Sequence, residues 1–233
     1  MINLLLVEDD KSLAFIEKTG LEEIIGGYTV TVAENGAEGY EMWQKISPDV
    51  IIADIDMPVM NGFEMVEKIR KADADVIIIF TSALTSPDDV KAGYRLGINN
   101  YVKKPFDPSE LDAHIRALVK MKNGEKIRNT ANIFEIGRFT LDGEQSTLRD
   151  NVKDKVMTLT AMETGILQLL AENKNEVVRR EAILNRFWNT EDDYFASRSL
   201  DVFVTKLRKK LSPDSTLEIK TVRGVGLALI ENQ

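Results

Sequence analysis

The alternation of apolar runs and amphipathic stretches predicts an α/β fold. A doubly wound sheet of five parallel strands over residues 1–121 is followed by a smaller α+β domain over 133–233. Three observations carry this prediction. Five short runs, at 3–7, 29–33, 50–53, 76–81 and 98–102, are separated by helix-like segments. Two of them, Leu4-Leu5-Leu6-Val7 and Val50-Ile51-Ile52-Ala53, run directly into acids: Glu8-Asp9-Asp10 after the first and Asp54 after the second. Beyond a polar linker at 122–132 the pattern changes to short alternating segments.

Taken in order, three of the five runs are nearly all apolar and β-branched, as parallel strands covered on both faces require. Asn35-Gly36 and Asn61-Gly62 are expected to mark turns. Ser86-Pro87-Asp88-Asp89 supplies an N-cap, a proline at the first helical position and acids in the first turn; Asp107-Pro108 followed by Glu110 repeats the device. Residues 133–159, with segments such as Arg138-Phe139-Thr140-Leu141 and breaks at Asp142-Gly143 and Asp150-Asn151, predict a small antiparallel sheet. Thr160 and Glu163 form a capping box, and Ile166, Leu167, Leu169 and Leu170 make the buried stripe of the helix it opens. A second helix is expected from 181 to 187 or 188 and a third from about 197 to 211. Residues 217–230 read as a hairpin around Arg223-Gly224-Val225-Gly226.

The chain of 233 residues has no cysteine, which excludes disulfides and thiolate metal sites. No apolar stretch approaches the roughly 20 residues of a membrane span, and the short N-terminal run does not resemble a signal peptide, so the expected location is the cytoplasm. The net charge of −8 is unevenly placed. The first 122 residues hold 13 basic and 21 acidic side chains, the remainder 17 of each, and 198–223 alone holds 7 basic and 3 acidic. That basic stretch suits a polyanion or a solvated helix face.

Strand C-termini form the ligand-binding edge of an open α/β sheet. Three acids gathered there repel one another unless a hard cation sits among them. An all-oxygen donor set points to Mg²⁺. Asp10 reads as a helix N-cap rather than a ligand.

Four motifs in order, Val7-Glu8-Asp9-Asp10, the segment from Asp54-Ile55-Asp56 through Asn61-Gly62, Thr81-Ser82-Ala83 and Lys103-Lys104-Pro105-Phe106, resemble the receiver domain of bacterial two-component response regulators. The resemblance covers residues 1 to about 121. It implies Asp54 as phosphoacceptor, and Glu8, Asp9, Asp54 and the backbone carbonyl of Asp56 as Mg²⁺ ligands. It further implies Thr81 and Lys104 as partners of the phosphoryl group and Tyr101 as the aromatic that turns inward on activation. The only histidine, His114, reads as a surface or packing residue and not as a phosphoryl carrier. The phosphoryl group is therefore expected from a separate sensor histidine kinase.

The second half resembles the winged-helix effector of the OmpR/PhoB class through Leu159-Thr160-Ala161-Met162-Glu163, Val177-Val178-Arg179-Arg180, the segment 204–211 and Thr221-Val222-Arg223-Gly224. This implies a flavodoxin-like receiver joined to a winged helix-turn-helix domain that binds double-stranded promoter DNA. Leu200, Val204, Leu207 and Leu211 form a core-facing stripe on the third helix. The other face carries Arg198, Val202, Thr205 and Lys209, with Lys206 and Arg208 at its edges, and suits a major groove. Arg198, Thr205 and Lys206 are the candidates for base contact, and Arg223 for a minor groove. Leu227 stands where the class usually has Tyr, and Phe203 where it is often polar.

The class dimerises through the fourth helix, fifth strand and fifth helix of its receiver. There it typically places a basic residue, Asp-Asp and Arg where this chain has Val90, Asn99-Asn100 and His114. Glu110 matches, but its basic partner is missing at Val90, with Lys91 adjacent. The departure removes several intersubunit ion pairs from the expected face.

The expected function is a phosphorylation-dependent, dimeric transcription regulator, with RNA polymerase as a further candidate partner. Two other functions fit the same residues. One is a regulator that dimerises constitutively with little dependence on phosphorylation. The other is a metal-dependent phosphotransfer enzyme with an interaction module.

Overall fold

The computed structural model describes residues 1–83, 86–124, 132–188 and 194–232. The chain divides into two compact units, Met1–Val119 and Lys120–Gln233. Among the described residues no helix is long and apolar enough to cross a membrane.

In the first unit, strands β1 (Ile2–Val7), β2 (Tyr28–Ala33), β3 (Val50–Asp54), β4 (Ile77–Ser82) and β5 (Asn100–Lys103) form one parallel sheet in the order β2-β1-β3-β4-β5. Leu4–Val7 and Val50–Ala53 are wholly buried, because helices cover both faces. The helices are α1 (Lys11–Thr19), α2 (Gly36–Ile46), α3 (Gly62–Ala72), α4 (Pro87–Leu96) and α5 (Pro108–Gly124). A π-helical turn, Gly20–Ile25, continues α1.

The two Asn-Gly pairs are not free turns. Asn35 and Asn61 are the N-caps of α2 and α3, and Asn61 forms a capping box with Glu64. The amide oxygen of each satisfies first-turn N–H groups that would otherwise have no acceptor. Gly62 is needed for a second reason: a Cβ there would lie 2.3 Å from the carbonyl oxygen of Asp54. The close approach of α3 to the end of β3 therefore depends on that glycine.

Helix α5 runs to Gly124, into the segment read as linker, since Lys-Met-Lys are good helix formers despite their polarity. The rest of that linker, 125–131, lies outside the described residues.

The second unit opens with an antiparallel meander, β6 (Ile133–Ile136), β7 (Phe139–Asp142), β8 (Thr147–Asp150) and β9 (Lys155–Thr158). Helices α6 (Ala161–Glu172), α7 (Arg180–Trp188) and α8 (Tyr194–Leu211) follow, with the Thr160–Glu163 capping box closed in both directions. The hairpin β11 (Leu217–Val222) and β12 (Gly226–Glu231) recruits a two-residue strand, β10 (Val178–Arg179), in the order β10-β12-β11. Such a short strand has no periodicity to read. Leu200, Val204, Leu207 and Leu211 are buried, as their spacing requires, and Phe203 and Leu227 join the core.

A Cβ at Gly226 would lie 1.9 Å from the carbonyl oxygen of Val178. Gly226→Ala is therefore expected to break the β10–β12 pairing and destabilise the second unit by about 3 kcal/mol. Urea unfolding followed by Trp188 fluorescence measures it, and a midpoint equal to wild type would refute the prediction.

Candidate functional site

The first cluster follows from strand register. Val7 pairs with Ala53, so Glu8 and Asp54 emerge side by side where the strand order reverses, and Asp54 pairs with Thr81 on the next strand. One carboxylate oxygen from each of Glu8, Asp9 and Asp54 fits within 4.8 Å of the others. Lys104, just past β5, bridges two of them: its Nζ lies 2.6 Å from Glu8 Oε2 and 2.5 Å from Asp54 Oδ2. The other oxygen of Asp54 accepts from the backbone N–H of Ile55 at 2.5 Å and of Asp56 at 3.3 Å.

Burial raises the pKa of Glu8 against the opposing pull of Lys104. For Lys104, burial works to lower the pKa, but its bonds to Asp54 and Glu8 prevail and hold it raised. The ammonium therefore stays charged between the two carboxylates. A cluster of oxygen donors with one cation alongside fits a hard divalent ion.

Thr81 is fully buried, and its hydroxyl has no hydrogen-bond partner among the described residues. Tyr101 is packed inward, its ring edge-on to Phe80 at 6.4 Å, and burial pushes its phenol up to about 12. Asp10 caps α1 by accepting from Ser12 and Leu13.

Glu17 escaped the sequence reading. It is only 2% exposed, and neither carboxylate oxygen has a hydrogen-bond partner among the described residues. Burial, with the charges of Glu8 and Asp54 adding to it and Lys104 opposing, pushes it up to about 7. The available signal was the stripe Ala14, Glu17, Leu21 on the buried side of α1 and the π-helical turn that continues it, where an acid replaces an apolar residue.

The expected dimer face is altered further. Val90 is fully buried in the core of its own unit, so its side chain cannot face a partner. Asn100, also buried, accepts from Tyr101 N–H at 2.8 Å and Tyr94 OH at 3.2 Å. Its Nδ2 meets Nδ1 of His114 at 2.9 Å, so His114 has a specific partner within the chain. Lys91 lies near Asp88 at 3.4 Å, and Glu110 is exposed.

In the second unit, Thr205 and Lys209 are exposed on α8, and Arg198 and Lys206 are half-buried. Thr205 Oγ1 donates to the carbonyl of Asp201 at 2.7 Å, and Lys206 Nζ lies 5.7 Å from the centre of the Phe203 ring. Arg208 turns to the hairpin, donating to Ile219 O and Thr221 Oγ1. Arg223 is exposed beside Gly224, whose φ of 71° makes the turn. Arg180 was not singled out as a site residue, yet its guanidinium reaches Ser197 Oγ at 2.7 Å and Asp201 at 3.0 Å, anchoring α8.

Residues 4–116 match the response regulator receiver domain, and residues 154–229 match the C-terminal domain of transcriptional regulatory proteins. Over 229 residues the chain is 34% identical to the transcriptional regulatory protein RprY of Bacteroides fragilis, covering 98% of this chain and 94% of that one. The chain belongs to the two-component response regulators, with a receiver and an OmpR/PhoB-type DNA-binding domain. The response regulator ArlR of Staphylococcus aureus is 36% identical over 231 residues, 98% of this regulator and 100% of ArlR. A RitR variant shares the fold, with a TM-score of 0.76 at 22% identity and full coverage of both chains. These domain matches favour a transcriptional response regulator over a metal-dependent phosphotransfer enzyme with an interaction module. A receiver joined to such an effector implies a histidine kinase and DNA as partners of the response regulator.

Proposed function

We propose that this regulator is phosphorylated on Asp54 by a sensor histidine kinase and binds promoter DNA as a dimer in the cytoplasm. The observation that carries the proposal is the bridging of Glu8 and Asp54 by Lys104 at the switch point of the sheet. Glu8, Asp9, Asp54 and the backbone carbonyl of Asp56 would hold Mg²⁺, which when bound offsets negative charge on the transferring group.

An oxygen of Asp54 attacks phosphorus while the bond to the donor nitrogen breaks, leaving an acyl phosphate on Asp54. Lys104 keeps Asp54 ionised beforehand and pairs with phosphoryl oxygens afterwards. The hydroxyl of Thr81, without a hydrogen-bond partner among the described residues and on the strand beside Asp54, supplies a donor to the new group. Drawing Thr81 and Lys104 towards the phosphoryl group biases the packing of Tyr101 and, with it, the face of α4, β5 and α5. In the second unit α8 enters the major groove with Arg198, Thr205, Lys206 and Lys209, and Arg223 reaches the minor groove. RNA polymerase is a candidate further partner of the DNA-bound dimer.

Constitutive dimerisation is a second reading, favoured by one observation. The Tyr94–Asn100–His114 chain satisfies polar groups within the subunit where the class uses ion pairs between subunits.

Sedimentation mass and DNA affinity, with and without a small acyl-phosphate donor and Mg²⁺, separate the two. A donor-driven shift from monomer to dimer with tighter binding supports the switch. A wild type already dimeric, with DNA affinity indifferent to the donor, supports the second reading. In either case affinity is expected to fall roughly 1,000-fold or more between 50 and 200 mM salt, as about six or more phosphate contacts require. Binding insensitive to salt would remove the proposed interface.

A further inference from the structure

We propose that Arg208 is a positioning residue that braces the terminal hairpin against α8 and so places Arg223, rather than a contact to DNA itself. The inference rests on the reading above, in which α8 and the hairpin together grip the duplex.

Sequence position alone puts Arg208 at the edge of the basic face of α8. The structure gives its guanidinium other work. Nε donates to the carbonyl of Ile219 at 2.8 Å and Nη2 to Thr221 Oγ1 at 2.7 Å. Both acceptors lie on β11, the outer strand of its sheet, which among the described residues has a strand neighbour on one side only. Arg208 thus occupies the open edge of the hairpin, where a carbonyl would otherwise turn to water.

The hairpin is stiff within itself. Six residue pairs join β11 to β12, and Val225 N–H closes the turn on Val222 O at 3.0 Å. A stiff hairpin tilts as a unit, so an anchor on its outer strand controls where its tip lies. Strand β11 ends at Val222, and Arg223 is the next residue. Ile219 and Thr221 are the fourth and second residues before it.

Arginine suits this place because its planar fork serves two acceptors lying in different directions, which a single ammonium does not reproduce. The two bonds span 11 and 13 residues of sequence and cross from helix to strand, so they constrain tertiary geometry rather than local conformation. The pair gives an exposed arginine on this helix two acceptors within its own unit.

The test is a set of variants of the full-length chain, bound to a duplex that the wild type recovers from a randomised pool. Arg208→Lys, which keeps the charge, and Thr221→Val, which removes an acceptor and no charge, are each expected to weaken binding roughly 3- to 10-fold. Thr221→Ser, which keeps the hydroxyl, is expected to bind as wild type. In an Arg223→Ala background Arg208→Lys should add nothing further, because the brace then has no arginine to place.

If Thr221→Val binds as wild type, or if the losses at Arg208 and Arg223 add in full, Arg208 acts on the duplex directly and the proposal is overturned. Thermal melts of each variant identify a loss that comes from unfolding, and Thr221→Ser then decides: weak binding by that folded variant also overturns the proposal. Failure of the underlying interface has a different signature. Arg223→Ala would then change neither affinity nor its dependence on salt, and the brace would fall with it.

Discussion

Asp54→Ala is expected to abolish phosphoryl incorporation from a small acyl-phosphate donor, at least about 100-fold below wild type. Intact-mass spectrometry reads this directly as the loss of the phosphorylated species. No other carboxylate in the cluster is so placed. Glu8 is buried behind the Lys104 bridge, and Asp9 is exposed and lies on the loop beyond β1. Asp54 ends its strand at the crevice, with one oxygen held by the N–H groups of Ile55 and Asp56 and the other by Lys104. Its removal leaves the Lys104 bond to Glu8 in place, so the fold is expected to persist while the chemistry is lost. Full incorporation by the Ala variant would place the phosphoacceptor elsewhere and dismantle the proposed function.

Glu17→Leu is expected to stabilise the protein by about 3 kcal/mol at pH 8 and far less at pH 5. Glu17 ionises near 4.5 when unfolded and near 7 when folded. Between those values the folded chain keeps a proton that the unfolded chain releases, so stability falls as pH rises through this window. Above it the buried carboxylate is charged, without a hydrogen-bond partner among the described residues, and the whole deficit is present. Leucine removes the titrating group and fits an apolar stripe already made by Ala14 and Leu21. Thermal melts without divalent cations should show a gain on the order of 10 °C at pH 8. An equal gain at both pH values would mean that packing, not ionisation, is responsible.

Much of the fold was legible because its signals are local. The apolar runs at 3–7 and 50–53 could only be covered strands, and Thr160 with Glu163 could only open a helix. The short strand β10 was not legible, since two residues carry no period and exist as a strand only because β12 passes beside them. The Asn-Gly pairs show the same limit from the other side: turn chemistry and N-cap chemistry use the same residues, and only the following helix decides between them.

By itself, the sequence determined the two-domain order, the sheet with acids at its C-terminal edge, and the family motifs around Glu8, Asp54, Thr81 and Lys104. These are properties of residue type and spacing. Only the tertiary structure decided that Val90 faces inward, that Asn100 and His114 bond to each other, that Glu17 lies buried, and that Arg208 turns to the hairpin. Each of those outcomes depends on which groups from distant parts of the chain share one volume, because burial and hydrogen-bond pairing are set by neighbours in space.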